Sequence, residues 1–87
     1  MTTKQLDKIL ASHCPKGVLY NLHKVRGLPF WRLRVYNTAE WEARGVLASY
    51  LEVQLSAGQT EAALIADYVW ACQRQLAYDW QKAEVMV

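Results

Sequence analysis

Residues 18–36 alternate apolar and polar side chains, and this two-residue period constrains the fold more than any other feature of the chain. Successive side chains of a β-strand point to opposite faces, so the alternation predicts strands with one apolar and one polar face. Residues 26–29 interrupt the alternation with a glycine and a proline, which indicates an antiparallel hairpin. The predicted polar face carries Asn21, His23, Arg32, Arg34 and Tyr36. Because two strands alone are only marginally stable in water, the hairpin must pack on other elements.

Helical periodicity on both sides of the hairpin predicts those elements. Thr2 and Gln5 have the spacing of a capping box ahead of a helix over residues 3–13. A second helix is predicted over 38–55, with Asn37 or Thr38 as its cap, and a third over 60–84, capped by Thr60. We therefore expect one α+β domain over residues 1–87, in the order α-β-β-α-α, with an antiparallel hairpin packed on helices and a long C-terminal helix.

Composition excludes several classes of protein. Hydrophobic residues make up 53% of the 87, above the roughly 45–50% of an average soluble domain, so the chain should not be disordered. No stretch approaches the roughly 18 apolar residues of a membrane span, and the first residues do not resemble a signal peptide. With only two cysteines, we expect a soluble cytoplasmic protein that does not act at a membrane.

The residues that carry catalytic or metal chemistry do not form a recognisable pattern. The candidate soft metal ligands, His13, Cys14, His23 and Cys72, lack the paired spacing of a zinc site. A Cys14–His23 nucleophile pair would have no third group to orient the imidazole, and no phosphate-binding glycine loop is present. We therefore expect no metal, no cofactor, no small-molecule substrate and no enzymatic activity.

Aromatic residues point instead to protein binding, since four Trp and five Tyr are many for 87 residues and both types are enriched at interface hot spots. The candidate protein-binding residues are Trp41, Asp67, Trp70 and Arg74. Trp70 shares a predicted helical face with the charged Asp67 and Arg74, although a helix rotated by one residue would place Trp70 in the core. The third helix also looks too long for the rest of the fold to cover, which predicts a homodimer.

Charge is distributed unevenly, with seven Lys and Arg against one Asp in residues 1–36, and three against seven acidic residues in 37–87. A basic hairpin could bind nucleic acid, with candidate residues His23, Lys24, Arg26, Arg32, Arg34 and Tyr36. The same pattern is expected if the arginines only protect a sheet edge, or if the two halves attract each other within the fold.

The leading hypothesis is a small non-enzymatic interaction module that acts as an inhibitor or accessory factor by binding a surface of a larger protein or complex. Stand-alone domains of this size include factors carried by phages and other mobile elements, an analogy from size alone. The alternative is a nucleic-acid-binding regulator that uses the basic hairpin.

Overall fold

The computed structural model describes residues 1–78. Its elements are α1 (Thr3–Ser12), β1 (Val18–Lys24), β2 (Phe30–Asn37), α2 (Thr38–Arg44), β3 (Tyr50–Ser56) and α3 (Glu61–Ala77), with a single 3-10 turn at Gly45–Leu47 between α2 and β3. The predicted α+β class and the hairpin packed on helices are confirmed. Thr2 and Gln5 form the predicted capping box, and Thr60 caps α3 by accepting a hydrogen bond from the amide of Ala63.

The three strands form an antiparallel sheet in the order β1-β2-β3, so β2 is central. Trp31, Leu33 and Val35 of β2 are buried, because α1 and α3 cover their face of the sheet. The helices contribute Leu6 and Leu10 from α1, and Leu64, Tyr68, Ala71 and Cys72 from α3. The core therefore lies between one face of the sheet and these two helices.

The second helix is much shorter than predicted, since α2 ends at Arg44 and residues 50–56 of the predicted helix form β3. Gly45, expected inside the helix, has a φ of 57° and a ψ of −127°, a conformation that glycine adopts far more readily than other residues. In residues 50–56 the apolar positions fit a period of two as well as a helical period. Pairing with β2 selects the strand over the helix, because a third strand turns a marginally stable hairpin into a three-stranded sheet.

Helix α3 buries one side of its predicted apolar stripe. The predicted stripe steps through Ile65, Val69, Cys72 and Leu76 and is widened by Leu64, Tyr68, Ala71 and Tyr78, and the buried positions are Leu64, Tyr68, Ala71, Cys72 and Gln75. Gln75 was not predicted to be buried, and its side-chain amide donates a hydrogen bond of 2.9 Å to the carbonyl of Val35. Backbone at Tyr78 is extended, so the helix ends at Ala77, and the rest of its predicted course to residue 84 lies outside the described residues.

Candidate functional site

The side of the sheet turned away from α1 and α3 is the candidate site, and we call it the open face. Strand pairing arranges its side chains in three rows, each with one residue from β1, β2 and β3. The rows are Leu19–Tyr36–Tyr50, Asn21–Arg34–Glu52 and His23–Arg32–Gln54. None of these nine residues is buried, so the open face is accessible as well as regular.

Aromatic rings occupy the first row and its surroundings. The ring of Tyr36 lies 5.1 Å from that of Trp41, nearly edge to face, and 5.6 Å from that of Tyr50. Both distances are in the favourable range for aromatic pairs. We call Tyr36, Trp41 and Tyr50 the aromatic cluster. Trp41 remains 37% exposed and Tyr50 43%, and a groove of about 310 Å³ runs beside them, lined by Leu19, Tyr20, Asn21, Tyr36 and Trp41.

Asn37 places Trp41 in this cluster. Its side-chain oxygen accepts hydrogen bonds from the amides of Ala39 (2.9 Å) and Glu40 (3.3 Å), which starts α2 directly after β2. Its side-chain nitrogen donates to the carbonyl of Gln75 on α3, at 3.1 Å. Because α2 begins without an intervening loop, its first turn brings Trp41 back over Tyr36.

Two further apolar side chains are almost completely exposed next to this end of the sheet. Val46 is 91% exposed and Leu47 81%, and both lie on the short turn that leads from α2 into β3 and Tyr50. Exposed apolar side chains grouped near one another are typical of interaction surfaces, whereas isolated ones are ordinary. This turn therefore extends the apolar end of the open face.

The opposite end of the open face is polar and basic. Asn21, His23, Arg32 and Arg34 line a groove of about 350 Å³. Nε of Arg34 lies 3.4 Å from Oε1 of Glu52, and its guanidinium carbon lies 4.5 Å from the ring centre of Tyr50. The pKa of Arg34 is raised, mainly by a hydrogen bond with the hydroxyl of Tyr36 and next by the electrostatic interaction with Tyr50. The side chain therefore stays charged. Within residues 1–78, Arg32 has no ion-pair partner.

The structure brings together four of the six residues predicted for nucleic-acid binding: His23, Arg32, Arg34 and Tyr36 share the open face. Lys24 pairs with Trp31 on the other side of the sheet, where its ammonium lies 5.5 Å from the indole ring centre and donates to the carbonyls of Val25 and Leu28. Arg26 lies in the exposed turn between β1 and β2. Because β3 flanks β2, the hairpin is part of a wider sheet and does not form a free two-stranded ribbon.

The four residues predicted for protein binding are divided between two surfaces. Asp67, Trp70 and Arg74 lie on the outer side of α3, where the guanidinium carbon of Arg74 is 4.9 Å from the Trp70 ring centre. A carboxylate oxygen of Asp67 accepts a hydrogen bond of 3.0 Å from Gln59. Trp70 is 52% exposed, so it does not belong to the core. Trp41 lies across the sheet in the aromatic cluster.

The cysteines and histidines occupy separate places. Cys72 is buried, which raises the pKa of its thiol to about 11, and the pKa of the Tyr68 hydroxyl beside it is also raised by burial. Cys14 packs against the same core, whereas His23 lies on the open face, so the Cys14–His23 pair does not form. His13 is exposed at the end of α1.

Comparison with known proteins adds no relative, since no protein family, no curated protein and no solved structure matches this chain. Across the described residues, 1–78, no helix has both the length and the apolar character needed to cross a bilayer. In the same part of the chain no three His, Cys, Asp or Glu side chains group in a way that could hold a metal ion.

Five of the nine residues of the open face were not among the sequence-predicted site residues: Leu19, Asn21, Tyr50, Glu52 and Gln54. Three of them belong to β3, which was predicted to be helical. The available signal was the alternation of Leu51, Val53 and Leu55 with polar or aromatic neighbours. That alternation places Tyr50, Glu52 and Gln54 on one side of a strand.

Proposed function

We propose that this protein is a non-enzymatic interaction module that binds a surface of a larger protein through its open face and acts as an inhibitor or accessory factor. The observation that carries the proposal is the exposed aromatic cluster of Tyr36, Trp41 and Tyr50, on the sheet face that α1 and α3 leave uncovered. The cluster lies outside the core, so its apolar area does not serve the packing between the sheet and the two helices.

The distribution of side chains on the open face supports this proposal. An interface typically has an apolar centre with aromatic anchors and a polar rim that fixes orientation. Here the first row and the Val46–Leu47 turn supply apolar area, and the rows of Arg34 and Arg32 supply polar groups. Rigid rings with few rotatable bonds lose little entropy on binding, which favours Tyr and Trp as anchors.

Capture from native lysate with three forms of the full chain tests the proposal. The forms are wild type, the double variant Val46→Ser with Leu47→Ser, and the control variant Leu28→Ser. Leu28 is also an exposed apolar residue, but it lies in the turn between β1 and β2. We expect a protein that wild type and Leu28→Ser retain and the double variant loses, both before and after nuclease treatment. Equal retention by all three forms would contradict an interface at this end of the sheet.

The second candidate function is binding of single-stranded nucleic acid by the same face. It is favoured by one observation: His23, Arg32 and Arg34 share a face with the aromatic cluster, so bases could stack while phosphates meet cations. Binding of this kind weakens steeply with salt. We would then expect Arg32→Glu with Arg34→Glu to abolish retention of a fluorescent oligonucleotide, and captured partners to disappear after nuclease treatment.

Oligomeric state and location complete the proposal. We propose a homodimer, because the exposed apolar residues on both the open face and α3 exceed what one chain covers. Sedimentation equilibrium across a concentration series tests the oligomeric state.

We propose a cytoplasmic location, since the two cysteines are free and free thiols persist in reducing compartments.

A further inference from the structure

We propose that the partner presents an extended acidic segment to the open face, with an apolar side chain in the groove beside Trp41 and a carboxylate four residues away that pairs with Arg32. The inference rests on the proposed function and adds the chemistry of the partner to it. It follows from how charge is distributed over the three rows and from the spacing between them.

Charge is balanced in the middle row and unbalanced in the third. Arg34 is paired with Glu52, so the middle row carries a cation and an anion. The third row, His23–Arg32–Gln54, contains no acidic residue, and Arg32 has no ion-pair partner in residues 1–78. A guanidinium with free donors binds a carboxylate through two parallel hydrogen bonds. The amide of Asn21 and the imidazole of His23 line the same groove and add polar partners.

Spacing then restricts the shape of the partner. Tyr36 and Arg32 are four residues apart on β2, which corresponds to about 13 Å in a strand. An extended segment repeats its side chains at the same period, so an apolar residue above the first row places its fourth neighbour above Arg32. A residue two positions away faces the Arg34–Glu52 pair, where an added carboxylate would meet Glu52. In a helix, four residues span only about 6 Å, so a helical partner would need a spacing of seven to nine residues.

The same distribution of charge disfavours nucleic acid. A single strand carries a phosphate on every nucleotide, so it brings negative charge to the whole length of the face. In the middle row Glu52 neutralises Arg34, so a phosphate above that row gains no net attraction. A segment with a single carboxylate at one end places its charge only above the third row, where the positive charge is uncompensated.

The test selects peptides from a phage-displayed library of random 12-residue sequences against the full chain. Three forms are used: wild type, Arg32→Glu, and the control Arg26→Glu, which reverses an exposed charge in the turn outside the open face. We expect wild type and Arg26→Glu to enrich an apolar residue with Asp or Glu four positions away. Arg32→Glu should enrich Lys or Arg at that position. In the best synthetic peptide, Glu→Gln at that position should weaken binding about fivefold, the effect of one partly exposed ion pair.

Other outcomes overturn the inference in distinguishable ways. Acidic residues at a spacing of seven to nine would indicate a helical partner, and an acidic preference unchanged by Arg32→Glu would place the pairing elsewhere. The selected peptides are also titrated against a fourth form, Trp41→Ala. Peptides without acidic enrichment that lose affinity for Trp41→Ala would overturn the acidic segment and leave the proposed function standing. Peptides whose affinity changes with neither Arg32→Glu nor Trp41→Ala, or a failure to enrich any sequence, would overturn both the acidic segment and the proposed function. Tighter binding of a 12-nucleotide oligothymidylate than of any selected peptide, lost in Arg32→Glu, would favour nucleic acid. Circular dichroism of each variant checks that its fold is intact.

Discussion

The two faces of β2 differ more than any other neighbouring parts of this molecule. Trp31, Leu33 and Val35 are buried under α1 and α3, whereas Arg32, Arg34 and Tyr36 alternate with them on the open face. The first set determines whether the domain folds, and the second determines what the folded domain can touch. Because the two sets alternate along one strand, substitutions at two neighbouring positions should have different effects, one on stability and the other on binding.

Leu33→Ala should have the largest effect and tests the inner side of this comparison. Leu33 is fully buried at the centre of the sheet, so the substitution leaves a cavity and should lower the free energy of unfolding by about 3 kcal/mol. Urea denaturation measures it. Arg32→Ala, one residue away and exposed, should change the same quantity by less than about 0.5 kcal/mol. Similar losses in the two variants would break the comparison.

Alkaline pH should lower the free energy of unfolding through Cys72, which is buried in the core beneath the sheet. Its thiol pKa is about 11 in the fold against 9.0 for the free side chain, so the unfolded state ionises first as pH rises. This contribution is complete below pH 9 and is lost towards pH 11, at a cost of roughly 2 kcal/mol. Tyr20 adds a loss in the same direction at higher pH, since burial and a hydrogen bond to Asp7 raise its pKa to about 12.

Urea denaturation between pH 8 and pH 11 measures this dependence in wild type and in Cys72→Ala. The variant should be less stable at pH 8 because it loses buried atoms, and its stability should fall less between pH 9 and pH 11. Parallel curves for the two proteins would contradict the role of the thiol.

Asn37→Ala should affect both faces, because Asn37 joins them. It removes the cap of α2 and the hydrogen bond to Gln75, so we expect a loss of about 1.5 kcal/mol in the free energy of unfolding. Asn37→Ser retains a capping oxygen and loses the hydrogen bond to Gln75. Its free energy of unfolding should therefore lie between those of wild type and Asn37→Ala. If Asn37→Ser is as unstable as Asn37→Ala, capping is not the stabilising interaction.

Trp41→Ala and Trp70→Ala compare the open face with the outer side of α3 by their effect on partner affinity. Trp41 belongs to a cluster of three rings, and its removal should cost about 1–2 kcal/mol of binding free energy. Trp70 is a single exposed ring beside Arg74, and we expect a change below about 0.5 kcal/mol. Titration of the captured partner measures both. The reverse order would move the interface to α3, as the pattern of charges around Trp70 first suggested.

The sequence predicted the local features of this fold better than the long-range ones. The capping box at Thr2, the cap at Thr60 and the two faces of the hairpin depend on neighbouring residues, and all are found. Strand β3 could not be recognised in the same way, because residues 50–56 fit two periods and only pairing with β2 selects one. The burial of Gln75 on α3 was missed for a similar reason, since its hydrogen bond to the distant Val35 carries no signal in a hydrophobic pattern.

The part of the candidate site that lies on the hairpin was predicted from the sequence, and the part that lies on β3 was not. His23, Arg32, Arg34 and Tyr36 were assigned to one face, and they share it. The neutralising Glu52 and the ring of Tyr50 arrive from β3, so the balanced middle row and the aromatic cluster were not foreseeable. Trp41 was identified as a candidate protein-binding residue, but its position over Tyr36 depends on the direct passage from β2 into α2.

The double attachment of Asn37 ties the first turn of α2 to the last turn of α3. These two turns are distant in sequence, yet neither can fray without straining the same amide group. A partner that holds α2 in place should therefore slow hydrogen exchange at the end of α3, which it never touches. The far side of the domain thus offers a reporter of occupancy that leaves the binding surface unmodified.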